Sequence, residues 1–379
     1  MKKTLLASSA LVGASLLAAP AMAGTVGSKD AMNVSVSGTL WFAVQLVDSD
    51  IENVGQSKGY GFKVNESEVY INASNKADNG IKYGVAIEIA TGAADAGGAD
   101  EAYAFLDSDV WGRLQLGDND DVTNTMMLGS WKAHKGLGGP FGGLGMIASG
   151  WEGGIPLQGR ADWQVATSSD STKASYFSPR FSGFQVGASL TPDSGVNSAG
   201  LVDSNADGDF NNMIGLAATY KGKFNDVGVG LSVGYETAED MNPNVGGLDN
   251  NDLEVLGVGG TISMAGFTFG AHMRDYGDSG FSAAQVAAGA NAGDQWSVGL
   301  GYQAGPWGVS TWYLEGEVDQ GGALAKETVE RLGFGAGYTV APGWLLRADL
   351  EFLTQENRGG VATADNDGTA FLLTNMFMF

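Results

Sequence analysis

The sequence predicts an all-β protein: a transmembrane antiparallel β-barrel of about 16 strands closed into a single domain. Three observations point there. Apolar and polar residues alternate with period two over about ten residues at a time, again and again along the chain. The connections between these segments alternate between short and long. Glycine supplies 60 of 379 residues, more than twice the usual ~7 %, with only 8 prolines and no collagen period.

The first element is an export signal. Lys2 and Lys3 precede an uncharged stretch from Leu5 to Ala19, then Pro20 and Ala21-Met22-Ala23, so residues 1–23 read as a cleaved secretory peptide and 24–379 as the mature barrel. No later run reaches 18 apolar residues, so no spanning helix is expected.

The strands follow in order. Val34, Val36, Leu40, Phe42, Val44 and Leu46 share one parity, and Ile81 to Ile89 puts its apolar residues on one face with Lys82, Gly84, Ala86 and Glu88 opposite. Phe184 to Leu190, Val227 to Tyr235, Phe267 to Met273, Trp296 to Tyr302, Leu332 to Val340 and Trp344 to Phe352 repeat the pattern. The chain ends with Phe371, Leu373, Phe377 and Phe379 on one parity. Between strands, Lys76–Gly80, Asp107–Gly112, Pro179–Gly183, Lys221–Asp226, Met264–Gly266, Gly305–Trp307 and Ala341–Gly343 are short. Long polar stretches lie near 48–64, 91–100, 118–171, 192–211, 237–251, 277–293, 317–327 and 355–367. A soluble sandwich has no cause to sort loop lengths this way, whereas an outer-membrane barrel has short turns on one side and long loops on the other. Closure also removes the exposed edges that so many strands would otherwise present. Tyr83, Trp111, Phe184, Phe224, Phe267, Trp307 and Trp344 cluster near the short turns, as an interfacial girdle would.

Composition excludes other classes. A formal charge of −23 argues against a nucleic-acid binder, and the absence of cysteine excludes disulfide scaffolds and thiolate chemistry. His134 and His272 are the only histidines, with no serine or carboxylate at a telling spacing, so no catalytic set is expected. Asp203-Ser-Asn-Ala-Asp207-Gly-Asp209 opens like a calcium loop, but its twelfth position is Ile214 instead of a bidentate glutamate. No cofactor is expected; calcium bridging acidic loops to lipopolysaccharide is the one alternative left open.

Three stretches carry a family resemblance. They are Asp100-Glu-Ala-Tyr-Ala-Phe-Leu106 with Trp111-Gly-Arg-Leu-Gln-Leu-Gly117, then Ala174-Ser-Tyr-Phe-Ser-Pro-Arg-Phe-Ser-Gly-Phe184, and finally Thr369 to Phe379. In order and spacing they resemble the general porins of Gram-negative outer membranes, especially the α-proteobacterial type. The family has a basic residue after the Leu-x-Leu-Gly step, where this chain has Asp118. The resemblance implies a water-filled channel for passive diffusion of ions and small hydrophilic solutes, a homotrimer in outer-membrane lipid, and a terminal Phe379 read by the barrel-assembly machinery. It also implies that the third loop, 118–171, folds into the lumen as a constriction; a connection of that length is in any case too long to be ordinary.

Strand parity places Lys82, Arg113, Arg274, Arg331 and Arg347 on the lumenal wall, with Glu66, Glu68, Glu88, Asp349 and Glu351. Facing the loop carboxylates Asp118, Asp120, Asp121, Glu152 and Asp162, the five basic residues would set a transverse field, and Arg347 with Asp349 is the expected local ion pair. Fixed charges filter ions in this way, and the acidic excess predicts weak cation preference. A solute-specific channel is the nearest alternative; a barrel enzyme or a surface adhesin are remoter ones.

Overall fold

The computed structural model describes residues 32–50, 58–91, 98–137, 139, 168, 170–195, 210–240, 250–362 and 365–379. The expected signal peptide, Glu152, Asp162, the Asp203–Asp209 motif and most of the glycine-rich part of 118–171 lie outside them.

Sixteen strands close into one antiparallel barrel, each bonded to its neighbours in sequence and the first to the last. They are β1 (Asn33–Ser49), β2 (Lys58–Lys76), β3 (Lys82–Ala90), β4 (Ala99–Ser108), β5 (Gly112–Asp118), β6 (Thr172–Phe177), β7 (Phe184–Asp193) and β8 (Phe210–Phe224). The second half comprises β9 (Val227–Asp240), β10 (Leu253–Met264), β11 (Phe267–Asp275), β12 (Asn291–Ala304), β13 (Trp307–Asp319), β14 (Glu327–Ala341), β15 (Trp344–Glu356) and β16 (Asn366–Met378). Beyond β5 the chain forms a short helix, α1 (Val122–Met126).

The two faces of the wall are inverted relative to a soluble protein. On β11, Phe267, Phe269 and Met273 are exposed while His272 and Arg274 are buried; on β12, Trp296 and Leu300 are exposed while Gln295 and Ser297 are buried. Exposed apolar bands around buried polar side chains suit lipid outside and a polar interior. The aromatic residues of the short-turn end pair across strands: Phe267 with Tyr302 at 4.5 Å, Trp307 with Tyr338 at 4.2 Å and Phe184 with Tyr220 at 4.8 Å between ring centroids. Each is a directly opposed pair in the ladder, so the girdle also clamps register.

Two details depart from the sequence reading. The first long connection is only 50–57, because Tyr60, Phe62 and Val64 continue β2 with exposed side chains instead of forming a loop. Opposite Trp41 and Phe42 the register slips by one residue, so Glu66, Glu68 and Tyr70 face inward although Phe62 and Val64 face out. The seam is closed by the last residue: Phe379 exchanges backbone hydrogen bonds of 2.9 and 3.0 Å with Gly38, and a side chain at Gly38 would strike the Phe379 ring.

Candidate channel lining

After β5, described residues 119–137 contact the buried face of successive strands from β6 to β15. Asp121 caps α1 by accepting from the Asn124 amide at 2.8 Å, and its carboxylate also takes the hydroxyls of Thr123 and Ser168. The helix rests on β6, β7, β8 and β9, where Gly187 faces Val122 and Met126. The Leu128 amide donates to Ser232 on β9 at 2.9 Å, Ser130 meets Ser297 on β12 at 2.8 Å, and the Lys135 amide donates to Ser310 on β13 at 2.8 Å. The Leu137 amide then donates to Asp349 on β15 at 2.8 Å. Glycines make the passage possible. A Cβ on Gly259, Gly270 or Gly301 would collide with the carbonyl oxygen of Leu128, Gly129 or Ala133, which are backbone atoms with nowhere to rotate. Gly259→Val is therefore expected to cost about 1–3 kcal/mol through overpacking and to raise single-channel conductance as the segment lifts. A variant with wild-type stability and conductance would remove this account of the glycines.

Carboxylates gather at the long-loop end of β2–β4. Oxygens of Glu68, Glu88 and Asp100 approach one another within 4.8 Å, as do those of Glu101, Asp120 and Asp170. Asp120 is tied in by its amide, which donates to Glu101 at 3.1 Å, and by its side chain, which accepts from Asn124. Burial, and then the Glu101 charge, hold the Asp120 carboxyl well above the usual range. The crowd carries less negative charge near neutral pH than its formal count.

Lys173 is buried beside this cluster and donates to the Ser171 carbonyl at 2.7 Å, while the basic residues expected on the lumenal wall sit elsewhere. Lys82 and Arg113 both lie over the Phe105 ring, at 5.8 and 4.6 Å, at the short-turn end where each pairs in register with Asp107. Arg347 lies on the inward side near the same end, against Gly337. Arg274 is buried, donating to Gln295 at 2.8 and 3.0 Å. Arg331 is fully buried with Glu351, its Nε donating at 2.5 Å.

Several expectations need correction. Asp118 shares its parity with Leu114 and Leu116 and bonds Thr172, so it belongs to the outward face of the strand end. Asp121 is consumed as a helix cap. Asp349 hydrogen-bonds His134 and Leu137, with Arg347 within its electrostatic reach but not bonded to it, and Arg331 forms a buried ion pair with Glu351. Among the described residues, Lys82, Arg113 and Arg347 lie toward the short turns and Lys173, Arg274 and Arg331 toward the long loops, while Glu152 and Asp162 of the expected transverse array lie outside them.

The sequence reading missed the anchor of the loop. His134 Nε2 lies 2.8 Å from Asp349, and Ser310 Oγ lies 3.1 Å from Nδ1. Ser310 Oγ also accepts the Lys135 amide at 2.8 Å, so the ring is gripped at both nitrogens, by Ser310 at Nδ1 and by Asp349 at Nε2. The order Ser–His–Asp superficially suggests hydrolysis. Both the His134 and Asp349 side chains are 3 % exposed or less, and Ser310 is occupied by a backbone donor, so the set fastens the loop and presents no nucleophile. Beside it, Ala43, Val329, Leu353, Ala370 and Leu372 form an inward-facing apolar cluster against which Leu137 packs. Weak alternation in Phe371-Leu372-Leu373 was the available signal for this apolar inner patch.

Comparison with known proteins agrees with this arrangement. Residues 7–358 match the profile of a family described as Gram-negative porin. Among solved structures, the trimer form of OmpT, an outer membrane protein of Vibrio cholerae, superimposes with a TM-score of 0.61 at 14 % identity, covering 92 % of this chain and all of that one. An anion-selective porin from Comamonas acidovorans gives 0.61 at 15 % identity, covering 92 % and 100 %, and a porin variant from Rh. blastica gives 0.58 at 19 % identity, covering 91 % and 100 %. These identities establish a shared fold; no curated protein sequence matches. With the family profile spanning most of the chain and a closed 16-strand barrel whose apolar face points outward, this protein belongs to the Gram-negative porins, outer-membrane β-barrels that form channels.

Proposed function

We propose that the protein is a general diffusion porin of the α-proteobacterial type, a homotrimer that passes ions and small hydrophilic solutes with weak preference for cations. The observation that carries the selectivity is the gathering of Glu68, Glu88, Asp100, Glu101, Asp120 and Asp170 at the long-loop end, where solute enters from outside. Fixed carboxylates concentrate counter-ions at such an entrance. The preference is weak because burial, and then neighbouring carboxylates, suppress ionisation at Asp120 and because Lys82, Arg113 and Arg347 line the other end of the same path. The segment 118–171 narrows the channel in this reading, its first third held along the inner wall by the contacts from Ser232 to Asp349. Phe379 addresses the barrel-assembly machinery, and the flat apolar surface with Ala102, Ala104, Leu114 and Leu116 supplies the subunit contact.

Reversal potentials in planar bilayers under a potassium chloride gradient test the selectivity. A cation preference that grows as pH rises is expected, since Asp120, raised in the folded protein, gains charge only above the ordinary carboxylate range. Anion preference at neutral pH would defeat the proposal. Permeation limited to one sugar class in liposome swelling would favour a solute-specific channel.

A further inference from the structure

At the short-turn end, beneath α1, the inner wall encloses a cavity of about 60 Å³ between β6, β7 and β8. Arg180, Lys221, Gln185 and Thr219 supply its polar lining, and Phe177 and Met126 its apolar side. All the strand residues among them stand on the inward parity, opposite to exposed Tyr176, Phe184 and Val186. Lys132 of the loop stands near enough to Lys221 for the two charges to repel.

Two cations, Arg180 and Lys221, thus line the cavity with Lys132 within electrostatic reach of Lys221, and among the described residues none of the three has a carboxylate partner. Arg180 is held by neutral acceptors: Gly183 O at 2.7 Å, Gln185 Oε1 at 2.6 Å and Thr219 Oγ1 at 3.3 Å. Three of its five N–H groups are used and two remain. The ammonium groups of Lys221 and Lys132 make no hydrogen bond among the described residues. Burial, then Lys221, pushes Lys132 down to about 8, so it still carries charge at neutral pH. Like charges held together in a partly desolvated recess cost free energy, and only a negative ligand turns that cost into attraction. The volume is several times the ~10–15 Å³ needed by one water, enough for a tetrahedral ion with part of its hydration. The guanidinium is already fixed, so little ordering is required on binding.

We propose that Arg180 and Lys221, with Lys132 adding positive charge from the loop, form a subsite for a small oxyanion, of the phosphate or sulfate class, on the short-turn side of the channel. A porin with a carboxylate entrance would then have a separate station for anions below its loop, and Gln185 and Thr219 would add neutral hydrogen bonds. The inference rests on the channel reading in that anions reach the cavity through the lumen, but its test reads binding instead of flow.

Purified, detergent-folded full-length protein is titrated calorimetrically with inorganic phosphate at neutral pH and low ionic strength. Saturable binding is expected, weakened at least fivefold in Lys221→Gln and further in Lys221→Gln/Lys132→Gln. These two ammonium groups hold no described structural bond, so the variants should keep the heat-dependent gel mobility of the folded barrel. Lys58→Gln, which removes an equal charge from a surface pair with Asp48 on the other side of the membrane, should bind as wild type does. Absence of saturable binding, full binding by the double variant, or an equal loss in Lys58→Gln would each overturn the subsite. Bilayer conductance separates the two claims: a protein that binds phosphate but passes no ions overturns the channel reading and leaves the subsite standing.

Discussion

Asp349→Ala is expected to release the start of the third loop from the wall and give channels of larger, noisier conductance. One carboxylate holds both the His134 ring and the Leu137 amide, in a place where its own side chain is 2 % exposed. Hydrogen bonds to a charged group contribute about 1.5–3 kcal/mol each, and leaving the buried donors unpaired adds a desolvation penalty. A loss of about 3–5 kcal/mol in docking follows, which shifts the docked-to-undocked ratio by two to four orders of magnitude. Asp349→Asn keeps one acceptor and should fall between the two. The effect belongs to the loop and not to the barrel, so strand content by circular dichroism stays constant while single-channel conductance and susceptibility of the loop to protease both rise. Wild-type conductance and noise in Asp349→Ala would show that the contacts with Ser232, Ser297 and Ser310 hold the segment without this latch.

The second large effect is expected at Arg331 and Glu351, which face each other between β14 and β15 with essentially no exposure. The guanidinium also lies over the Trp312 ring at 5.5 Å. Glu351→Ala leaves a buried cation whose counter-charge is gone, and such a break costs about 3–5 kcal/mol. Replacing both partners, as Arg331→Met with Glu351→Leu, should recover most of that loss, because neighbouring Leu314, Leu353 and Val329 already make this inner wall apolar. Urea unfolding of the detergent-folded barrel reads the difference. If Glu351→Ala alone were as stable as wild type, the pair would be solvated and lumenal, and Arg331 would return to the list of selectivity charges.

These two predictions also mark where reading the residues in order ran out. Alternation placed Lys82, Arg113, Arg274, Arg331 and Arg347 on the inward side, and the structure keeps them there. It could not assign partners. Asp349 follows Arg347 by two residues, so the two share a face, yet Asp349 turns to a loop residue 215 positions away. Glu351 is matched to Arg331 across two strands. Asp118, read as the first carboxylate of the loop, instead ends the strand with its side chain on the leucine face, where parity with Leu114 and Leu116 puts it. The bulge in β2 went unforeseen, with no glycine or proline to announce it; it leaves Glu66 and Glu68 inward as parity had them and turns Phe62 and Val64, read as loop, outward.

What the sequence by itself determined is the barrel. Period-two patterning selects one face for lipid, the regular alternation of connector lengths counts the strands, and aromatic residues beside the short turns mark one interface. These are local properties, written into neighbours a few positions apart. The path of residues 119–137 was decided only by the tertiary structure. It depends on Gly259, Gly270 and Gly301 on three successive strands more than 120 positions beyond the segment they meet, and on one serine, one histidine and one aspartate meeting across the lumenal wall. A backbone can approach a wall that closely only where no Cβ intervenes. Glycine content announced that such room exists; which carbonyl fills it depends on the curvature that closure imposes on all sixteen strands.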